Sequence, residues 1–361
     1  MDADLPVENG KAKKLRVGIL GATDTVGQRF IRMLERHPQF EVTALAACDG
    51  SQGEIYKNAC VWRLSGEMPE EVKSLFVEPP RPPLDCDFVF SSLPAVVAQE
   101  AEEMFARAGY PVISNSSAHR LEPDVPLLIP EVNHQHLQLL ESQICQRRYR
   151  NDAFIVANPS CSVIVRALAL APLHERFGVA SVVVTTMQAL SGVGYPGMSS
   201  LDAIDNLVPF IDGEEQKIER ETVKILGSVE NHSVHSAQIL LSAQCNRVNI
   251  TDGHLLAVRV SLLRQAGVAE VGELLATFSS LPQELRLYSA PKRPIIVRNE
   301  IDRPQPRLDR DASGGMAISV GRIARDRVLD IRFLVLGHNT IRGRAGAAIL
   351  SAEMLIANGY L

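Results

Sequence analysis

Short apolar runs alternate with helical patterns along the first part of the chain. Four such runs predict buried parallel strands. They cover residues 15–21, 41–47, 88–94 and 111–115. Residues 26–37 and 95–108 carry apolar side chains at helical spacing between these runs. The alternation of strands and helices predicts a parallel, doubly wound sheet.

The pattern changes after residue 154, where longer segments follow one another. Residues 161–174 predict an apolar helix, and residues 214–226 predict a strongly charged amphipathic helix. The other apolar segments predict strands of a mixed sheet, at residues 181–190, 242–248, 254–263, 316–324 and 328–336. We expect the second and third of these strands to form one antiparallel pair and the last two to form another.

Together these patterns predict an α/β chain. A Rossmann-type doubly wound sheet over residues 15–157 is followed by an α+β domain with a mixed sheet over residues 158–340. Within the second domain, the Pro- and Arg-rich residues 292–310 predict extended chain or loop. Residues 341–361 predict a helix that packs back on the first domain, and residues 1–14 predict a flexible lead.

Composition and charge narrow the class of protein. The 361 residues are 46% hydrophobic and carry a formal net charge of −5, which argues against a nucleic-acid partner or an anionic membrane surface. No apolar run is long enough to span a bilayer, and residues 1–14 lack a secretory signal, so we expect a cytoplasmic protein. The six cysteines include no C-x-x-C pair, which argues against a metal site or a disulfide framework.

A glycine-rich turn joins the first predicted strand to the first predicted helix. Gly18, Gly21 and Gly27 stand at this turn, where glycines let backbone N–H groups approach a pyrophosphate at a helix N-terminus. The hydroxyls of Thr23 and Thr25 can add contacts to phosphate. A tight turn without a ligand would show the same glycines, but the strand–turn–helix context favours dinucleotide binding.

The end of the second predicted strand bears on the choice of dinucleotide. An acid there suits the free 2′-hydroxyl of NAD, whereas NADP sites usually place a basic residue near the 2′-phosphate. The loop carries Asp49 and Glu54, and its first basic residue is Lys57. On these residues alone, a preference for NADP is not supported.

One cysteine stands where a thiol becomes reactive. Cys161 follows Asn158-Pro159-Ser160 at the predicted start of a helix, and a helix N-terminus stabilises a thiolate. The free N–H groups there can also hold an oxyanion. A buried structural cysteine is the common alternative, and it stays open for Cys161 on the residues alone.

Arg247 and His254 lie close together in the segment C-N-R-V-N-I-T-D-G-H. Asp252-Gly253 predicts a turn, which would place both side chains near one end of a β-hairpin. Arginine clamps a carboxylate through two hydrogen bonds, and histidine acts as an acid or base. On its own, each of these residue types is more often a surface residue, and the pair has a function only if the fold brings both side chains to Cys161.

The charged helix at residues 214–226 has a plain structural interpretation. Glu214, Glu215 and Lys217 lie at spacings typical of intrahelical ion pairs on a solvated face. Spacing alone therefore assigns them no function.

Several motifs in both predicted domains together resemble the aspartate-semialdehyde dehydrogenase family, in its fungal and archaeal branch. In chain order they are GATDTVGQRF, ISNSSAHRLEPDVPLLIPEVN, ANPSCS, TTMQALSGVGYPG, GEEQKIERETVKIL, CNRV followed by DGH, DRPQPRLDR and GHNTIRGRAG. The resemblance implies NADP-dependent reduction of β-aspartyl phosphate to aspartate semialdehyde, on the route to threonine, methionine and lysine. It also implies a homodimer or homotetramer assembled through the second domain's sheet.

The same resemblance implies roles for individual residues. Cys161 would attack the acyl phosphate to form a thioester, with His254 as acid/base and Gln188 positioning the acyl-enzyme. The implied substrate contacts are Arg247 for the carboxylate, Glu215 or Glu214 for the amino group, and Arg120, Lys217 and Ser160 for the phosphate. The implied cofactor contacts are Gly21, Ala22, Thr23, Asp24, Thr25, Val26, Gly27, Ser51, Ser92, Leu93, Pro94, Asn115, Ser191, Gly192, Gly194 and Asn339.

The chain departs from the family pattern at four places. Asp24 replaces a turn glycine and brings a carboxylate towards the pyrophosphate position, and Ser160 replaces the asparagine before the nucleophile. At residues 162–165 the sequence S-V-I-V replaces S-T-T-G, which crowds the helix entry with β-branched side chains. Gly50 and Glu54 replace the basic residues that select NADP, so NAD stays possible as the cofactor.

These departures leave two other functions open. A diverged paralogue would act on another acyl phosphate, acyl thioester or aldehyde in a specialised pathway. A non-catalytic relative would bind a nucleotide or a partner. N-acetyl-glutamyl-phosphate reductase shares the architecture, but the GEEQK and CNRV…DGH stretches fit it poorly.

Overall fold

The computed structural model describes Val7–Glu8 and residues 11–361. Residues 1–6 and 9–10, which belong to the lead predicted to be flexible, lie outside the described residues. Val7–Glu8 pairs antiparallel with Lys11–Ala12. Among the described residues, none of the helices has the length and apolar character that a membrane span requires.

The secondary structure follows the alternation in the sequence. In chain order the strands are β1 (Val7–Glu8), β2 (Lys11–Ala12), β3 (Leu15–Leu20), β4 (Phe40–Ala46), β5 (Val77–Glu78), β6 (Phe88–Ser91), β7 (Val112–Ser114), β8 (Ile155–Ala157), β9 (Val179–Gln188), β10 (Leu207–Val208), β11 (Ser228–Glu230), β12 (Ser233–His235), β13 (Leu240–Val248), β14 (His254–Leu262), β15 (Ile295–Arg298), β16 (Ile318–Arg325) and β17 (Ile331–Gly337). The helices are α1 (Thr25–Leu34), α2 (Tyr56–Ala59), α3 (Glu70–Lys73), α4 (Ala95–Ala108), α5 (Pro130–Asn133), α6 (Leu139–Arg147), α7 (Cys161–Phe177), α8 (Ser200–Ala203), α9 (Glu214–Ile225), α10 (Val268–Ala276), α11 (Leu281–Glu284), α12 (Pro306–Asp309) and α13 (Gly346–Ala357). A π-helical turn, Ile341–Ala345, precedes α13.

The chain divides into two compact units. The first comprises Met1–Pro126, Leu137–Asn158 and Ala348–Leu361. The second comprises Leu127–His136 and Pro159–Ala347. Most of the C-terminal helix α13 therefore belongs to the first unit.

The first unit is built on a six-stranded parallel sheet in the order β5-β4-β3-β6-β7-β8. Its central strands β6 and β7 are buried along their whole length, which is why they are uniformly apolar runs in the sequence. Phe30 of α1 stacks on Phe90 of β6 with ring centroids 4.7 Å apart. The strand order reverses between β3 and β6, and open α/β sheets bind nucleotides at the carboxyl ends of strands at such a reversal.

The second unit contains a seven-stranded mixed sheet in the order β10-β13-β9-β14-β17-β16-β15. Val182, Val184 and Thr186 of β9 are buried on the face that α7 covers, while Val183 on the opposite face is 42% exposed. This architecture confirms the predicted fold class, a doubly wound parallel sheet followed by an α+β unit with a mixed sheet.

The hairpin predicted from residues 242–248 and 254–263 is wrong. β13 and β14 do not pair with each other, because β9 lies between them, parallel to β13 and antiparallel to β14. The turn at Asp252-Gly253 therefore belongs to a connection that crosses the end of β9. Two strands with alternating apolar residues and a turn between them are compatible with either arrangement, because neither the alternation nor the turn indicates which strands pair.

Residues 316–337 form the antiparallel pair that the sequence predicts, as β16 and β17. Residues 292–310 are more regular than predicted, because they contain β15, parallel to β16, and the short helix α12. The buried carboxylate of Asp309 forms ion pairs with Arg303 and, at 3.0 Å, with Arg298. These ion pairs neutralise the charges of this segment. In the sequence alone, the same charges had indicated a solvated loop.

Leu127–His136 joins the second unit although the hydrophobic pattern puts a boundary after residue 157. In this segment Glu131 pairs with Arg342 at 2.7 Å, and both side chains are completely buried. Nε2 of His136 lies 3.1 Å from the carbonyl oxygen of Gly227. Both contacts join residues far apart in sequence, so no local pattern predicts them.

Candidate active site

Adjacent strands of the mixed sheet bring three of the predicted site residues side by side. Gln188 is the last residue of β9 and pairs in register with Arg247 of β13. On the other side of β9, His254 is the first residue of β14, and the residue after it pairs with Met187. All three side chains are buried. They converge at one end of the sheet because β9 separates the two strands that the sequence suggested as a hairpin.

Cys161 lies against the same end of the sheet. It is the first residue of α7, and Ser160 before it is the N-cap, with an extended backbone. The Sγ atom lies 3.1 Å from Nε2 of His254, and Cys161 is 8% exposed. N–H groups in the first turn of a helix lack intrahelical acceptors and favour negative charge. This geometry suits a cysteine nucleophile paired with an imidazole.

The protonation state of His254 follows from its surroundings. The backbone N–H of Ala189 donates to Nδ1 at 3.1 Å, so Nδ1 acts as an acceptor and carries no proton. Burial, followed by the positive charges of Arg247 and Arg344, lowers the pKa of His254 well below its ordinary value. The imidazole is therefore neutral, with its proton on Nε2, facing the sulfur of Cys161.

A buried glutamate orients Gln188. Nε2 of Gln188 donates to Oε1 of Glu214 at 3.1 Å, and the hydroxyl of Ser162 donates to the same oxygen at 2.7 Å. Glu215 points elsewhere and accepts the backbone N–H of Cys245 at 3.0 Å. Of the two glutamates that the sequence left as alternatives, Glu214 is therefore the one brought to Gln188 and to the helix of the nucleophile.

The turn after β9 is fastened by Asn339. Its Nδ2 donates to Oγ of Ser191 at 2.8 Å, and its Oδ1 accepts the backbone N–H of Gly253 at 2.8 Å. Gly192 lies within this turn, and Gly194 follows it with a φ of 86°. Asn339 is fully buried, so in this unit it links the Ser191 turn to the loop before β14.

Groups suited to binding anions lie at the starts of α7 and α9. The buried Oγ of Ser160 has no hydrogen-bond partner within the described part of the chain. Its backbone N–H donates to Oε2 of Glu221 at 2.7 Å. Lys217 is half-buried on α9. Arg247 donates from Nη1 to the carbonyl oxygen of Ala189 at 2.7 Å. A buried hydroxyl without a protein partner costs free energy, which a bound substrate group would offset.

In the first unit the glycine turn follows β3 and leads into α1. A Cβ atom at Gly27 would lie 2.2 Å from the carbonyl oxygen of Gly21, so only glycine permits this close approach of helix and turn. Asp24 is the N-cap of α1, and its carboxylate accepts the N–H of Val26 at 3.4 Å. The departure at Asp24 thus has a structural use as a helix cap. The other turn residues are Ala22, which is buried, and Thr25, which begins α1.

Asp49 organises the loop after β4. Its carboxylate accepts the hydroxyl of Thr23 at 2.6 Å and the hydroxyl of Ser51 at 2.5 Å. Burial opposes the charged form, but the hydrogen bonds from Ser51 and Thr23 outweigh it and lower the pKa of Asp49. Two residues of the predicted cofactor set are therefore held by an ionised carboxylate.

The remaining predicted contacts of the first unit follow β6 and β7. Residues 92–94 come directly after β6, and Pro94 is the N-cap of α4. Asn115 follows β7, and its Oδ1 accepts from Nδ2 of Asn158 at 2.6 Å. Nη2 of Arg120 donates to the carbonyl oxygen of Asn115 at 2.9 Å. Asn115 is thus held by Asn158 and Arg120 where it follows the end of β7.

Known proteins resemble the chain over nearly its whole length. A family model described as semialdehyde dehydrogenase, NAD binding domain, matches residues 16–140, and one described as semialdehyde dehydrogenase, dimerisation domain, matches residues 170–342. A relative from Methanothermobacter thermautotrophicus, named aspartate-semialdehyde dehydrogenase, is 49% identical over 345 residues, covering 94% of this chain and 99% of the relative. The chain belongs to the aspartate-semialdehyde dehydrogenase family.

Other members of this oxidoreductase family are similar in structure and sequence. The crystal structure of aspartate semialdehyde dehydrogenase with NADP from Candida albicans has a TM-score of 0.89 and 40% identity, covering 97% of this chain and 100% of that chain. A relative from Metallosphaera sedula, named malonyl CoA reductase (NADP), is 40% identical over 355 residues, covering 97% of this chain and 99% of the relative. The archaeal and fungal similarities confirm the predicted branch, and the matched dimerisation domain supports self-association.

In this member of the aspartate-semialdehyde dehydrogenase family, Cys161 also has a close contact with a residue that the sequence did not indicate. Gly343 lies in the π-helical turn before α13, and a Cβ atom there would lie 2.4 Å from the Cβ of Cys161. The preceding residue, Arg342, fixes the turn through its buried pair with Glu131. In the sequence, the two closely spaced glycines near the end of the GHNTIRGRAG motif could have indicated this close approach.

Changing Gly343 to alanine should lower kcat by about a hundredfold or more. The added Cβ would displace the side chain of Cys161, and a displacement of about 1 Å in an active site reduces the rate by about that factor. The measurement is steady-state turnover beside Gly272→Ala, where the added Cβ would meet its nearest atom at 3.9 Å. Wild-type kcat in Gly343→Ala would show that the contact does not position Cys161.

Proposed function

We propose that the chain is an NADP-dependent aspartate-semialdehyde dehydrogenase, which converts β-aspartyl phosphate to aspartate semialdehyde through a cysteine thioester. The proposal is carried by one observation, the 3.1 Å contact between Sγ of Cys161 at the start of α7 and Nε2 of His254. An acyl phosphate needs a nucleophile of this kind, because phosphate is a good leaving group once the carbonyl carbon is attacked.

The chemistry assigns a step to each central residue. The thiolate of Cys161 attacks the acyl carbon, the bond to phosphate breaks, and a thioester forms. When bound, NADPH supplies the hydride that reduces this acyl group. Nε2–H of His254 donates a hydrogen bond to negative charge on the reacting oxygen and on the departing sulfur, which leaves as a thiolate when the adduct collapses to the aldehyde. Gln188, held by Glu214, positions the acyl group.

The substrate's other groups suit the side chains around this pair. Arg247 binds the carboxylate, since a guanidinium offers a planar fork of N–H donors. Glu214 accepts from the amino group. Ser160 and Lys217 contact the phosphate, and Arg120 keeps the phosphate role that the family's motif implies. We also propose that residues 15–157 bind the dinucleotide, that residues 158–340 hold catalysis and dimerisation, and that the protein works in the cytoplasm.

Phosphate-dependent oxidation of aspartate semialdehyde tests the proposal, followed through the absorbance of the reduced nicotinamide. We expect turnover that requires inorganic phosphate. A parallel reaction with malonyl-CoA and NADPH distinguishes the activity named for the Metallosphaera sedula relative. A folded protein that is inactive on the semialdehyde with both NADP and NAD would contradict the proposal.

The cofactor loop predicts a weakened preference for NADP. The glycine turn fits the pyrophosphate of either dinucleotide, but ionised Asp49 repels a 2′-phosphate and no basic side chain of residues 47–56 offsets it. Asp49→Ser should raise the ratio of kcat/KM for NADP to that for NAD about three- to tenfold. Glu100→Gln on α4 is the control, and an unchanged ratio in Asp49→Ser would count against the argument. The alternative Gly50→Arg is less suitable, because Gly50 has a left-handed φ of 88°.

We propose a homodimer, or a homotetramer built from it, formed by the outer face of the mixed sheet. Val183 on this face is 42% exposed, and Leu240 on the neighbouring β13 is 78% exposed. Val183→Asp should convert an assembly of at least twice the 39.5 kDa chain mass into a smaller species in light scattering, because a buried charge opposes association. Val328→Asp, at an exposed turn, should leave the mass unchanged. A monomeric wild type would refute the interface.

A further inference from the structure

Two buried side chains hold the glycine turn after β3 through its backbone carbonyl groups. The hydroxyl of Tyr56, the first residue of α2, donates to the carbonyl oxygen of Ala22 at 2.7 Å. Nε2 of Gln28 on α1 donates to the carbonyl oxygen of Thr23 at 3.1 Å. Tyr56 is fully buried, and Gln28 is 1% exposed. The peptide groups that follow Ala22 and Thr23 are therefore both fixed through their oxygen atoms.

Tyr56 is itself held by backbone pairing. Its N–H donates to the carbonyl oxygen of Leu75 at 2.8 Å, and Ile55 before it forms an isolated bridge with Phe76. Burial raises the pKa of the Tyr56 hydroxyl well above its ordinary value, so the hydroxyl stays protonated at neutral pH and remains a donor. The bond to the oxygen of Ala22 therefore does not change with pH in the neutral range.

A carbonyl oxygen that is held in place also fixes the N–H group of the next residue. In a planar trans peptide the C=O and the following N–H point in opposite directions. The bond from Tyr56 to Ala22 therefore directs the N–H of Thr23 away from Tyr56. Among the residues that the structure describes, none accepts this N–H, whereas the N–H of Asp24 donates to the carbonyl oxygen of Gly21 at 3.2 Å. A turn of this kind between a strand and a helix offers such N–H groups to a pyrophosphate.

We infer that Tyr56 is a positioning residue for the dinucleotide, because its hydroxyl holds the Ala22–Thr23 peptide in the orientation that presents the N–H of Thr23 to the pyrophosphate. The inference rests on the proposed function for the identity of the ligand. Tyr56 acts through this backbone group and makes no contact of its own with the dinucleotide. NADP and NAD share the pyrophosphate, so Tyr56 affects the affinity for both, whereas Asp49 affects the ratio between them.

Tyr56→Phe tests the inference by calorimetric titration, which needs no turnover. The variant removes one hydroxyl and keeps the aromatic ring. The Kd for NADP and the Kd for NAD should rise by the same factor, about three- to tenfold, which is the range for the loss of one hydrogen bond. The Kd for adenosine 2′-phosphate, which contains no pyrophosphate, should stay within about twofold of the wild-type value.

Tyr110→Phe is the matched control. The hydroxyl of Tyr110 also donates to a backbone carbonyl of the same unit, that of Leu84 at 3.1 Å. Leu84 and Tyr110 precede β6 and β7, so they lie at the amino ends of parallel strands, whereas the glycine turn follows the carboxyl end of β3. The control measures how far a lost hydroxyl changes the Kd through stability alone, and we expect wild-type Kd values for both dinucleotides.

Hydrogen exchange in the wild type provides a second measurement, which does not depend on the folding of a variant. Saturation with NAD or NADP should slow deuterium uptake at the amide of Thr23 at least about threefold, because the pyrophosphate would accept this N–H. An unchanged rate at Thr23 would overturn the inference.

The titrations can overturn it in other ways. Unchanged Kd values in Tyr56→Phe, a changed ratio of the two dinucleotide Kd values, an equal rise in the Kd for adenosine 2′-phosphate, or the same rise in Tyr110→Phe would each do so. A wild type that binds neither dinucleotide would also contradict the inference. If the wild type binds them but does not turn over aspartate semialdehyde, the proposed function fails while the titrations still decide the role of Tyr56.

Discussion

Replacing Cys161 with alanine should abolish turnover, lowering kcat by at least about 10⁴-fold, the scale on which loss of a covalent nucleophile acts. In the proposed mechanism the thiolate of Cys161 forms the thioester, and its Sγ is the sulfur that lies 3.1 Å from Nε2 of His254. Cys245 of β13 is also buried, and burial raises the pKa of its thiol to about 11. Intact-mass spectrometry of wild type with β-aspartyl phosphate and no nicotinamide should detect the acyl-enzyme, and the alanine variant should not form it.

The exposed Cys145 provides the matched control. Cys145→Ala should retain wild-type kcat and form the same acyl-enzyme. Turnover of Cys161→Ala at more than about a hundredth of the wild-type rate would remove the thioester from the mechanism. The dinucleotide should still bind Cys161→Ala with wild-type affinity, which separates a chemical defect from misfolding.

Changing His254 to glutamine should lower kcat about 10²- to 10³-fold, the range for removing one hydrogen-bond donor to charge that develops in the transition state. Glutamine is of similar size, but it does not reproduce the geometry in which Nδ1 accepts from Ala189 while Nε2–H faces Cys161. His232→Gln, at an exposed histidine, should match wild type. A His254→Gln enzyme with more than half of the wild-type kcat would show that the imidazole has no chemical role.

The pH dependence follows from the surroundings of the same histidine. The groups that face it are Cys161, Arg247, Arg344 and His338, and burial with the last three lowers the pKa of His254 well below 6.5. In the proposed mechanism the neutral form is the active one, because protonation at Nδ1 would remove the acceptor for the N–H of Ala189, and activity therefore falls only as the pH drops well below 6.5. In wild type, kcat/KM should therefore show no decline from His254 between pH 8 and about 6.5. A limb near pH 6.5 that disappears in His254→Gln would contradict this assignment.

The long helices could be predicted from the sequence because the same pattern of buried and exposed positions continues over the whole length of each helix. Residues 161–174 predict α7, observed at Cys161–Phe177, and residues 214–226 predict α9, observed at Glu214–Ile225. In both helices the predicted start is the observed one, which matters for function because Cys161 and Glu214 are first residues. The sequence did not predict the short helix α12, because this helix is stabilised by ion pairs between its Asp309 and two arginines that lie outside it.

The site itself was only partly predictable. The N-P-S-C-S segment indicates a helix start and hence a reactive thiol, but it does not indicate which histidine meets the sulfur. Glu214 and Glu215 are equivalent in a sequence, yet adjacent helical residues point about 100° apart, and only one of them reaches Gln188. The choice of Glu214 for the proposed amino-group contact therefore depends on the tertiary structure.

By itself, the sequence determined the α/β class, the start of the nucleophile's helix and the acidic character of the loop at Asp49. All three follow from local patterns of apolar residues, helix capping and charge. The tertiary structure decided that β9 lies between Arg247 and His254 and that Gly343 lies against Cys161. Those facts depend on which strands and turns pack together across long stretches of chain, such as the sequence separation of 93 between Cys161 and His254, and local patterns do not encode such pairing.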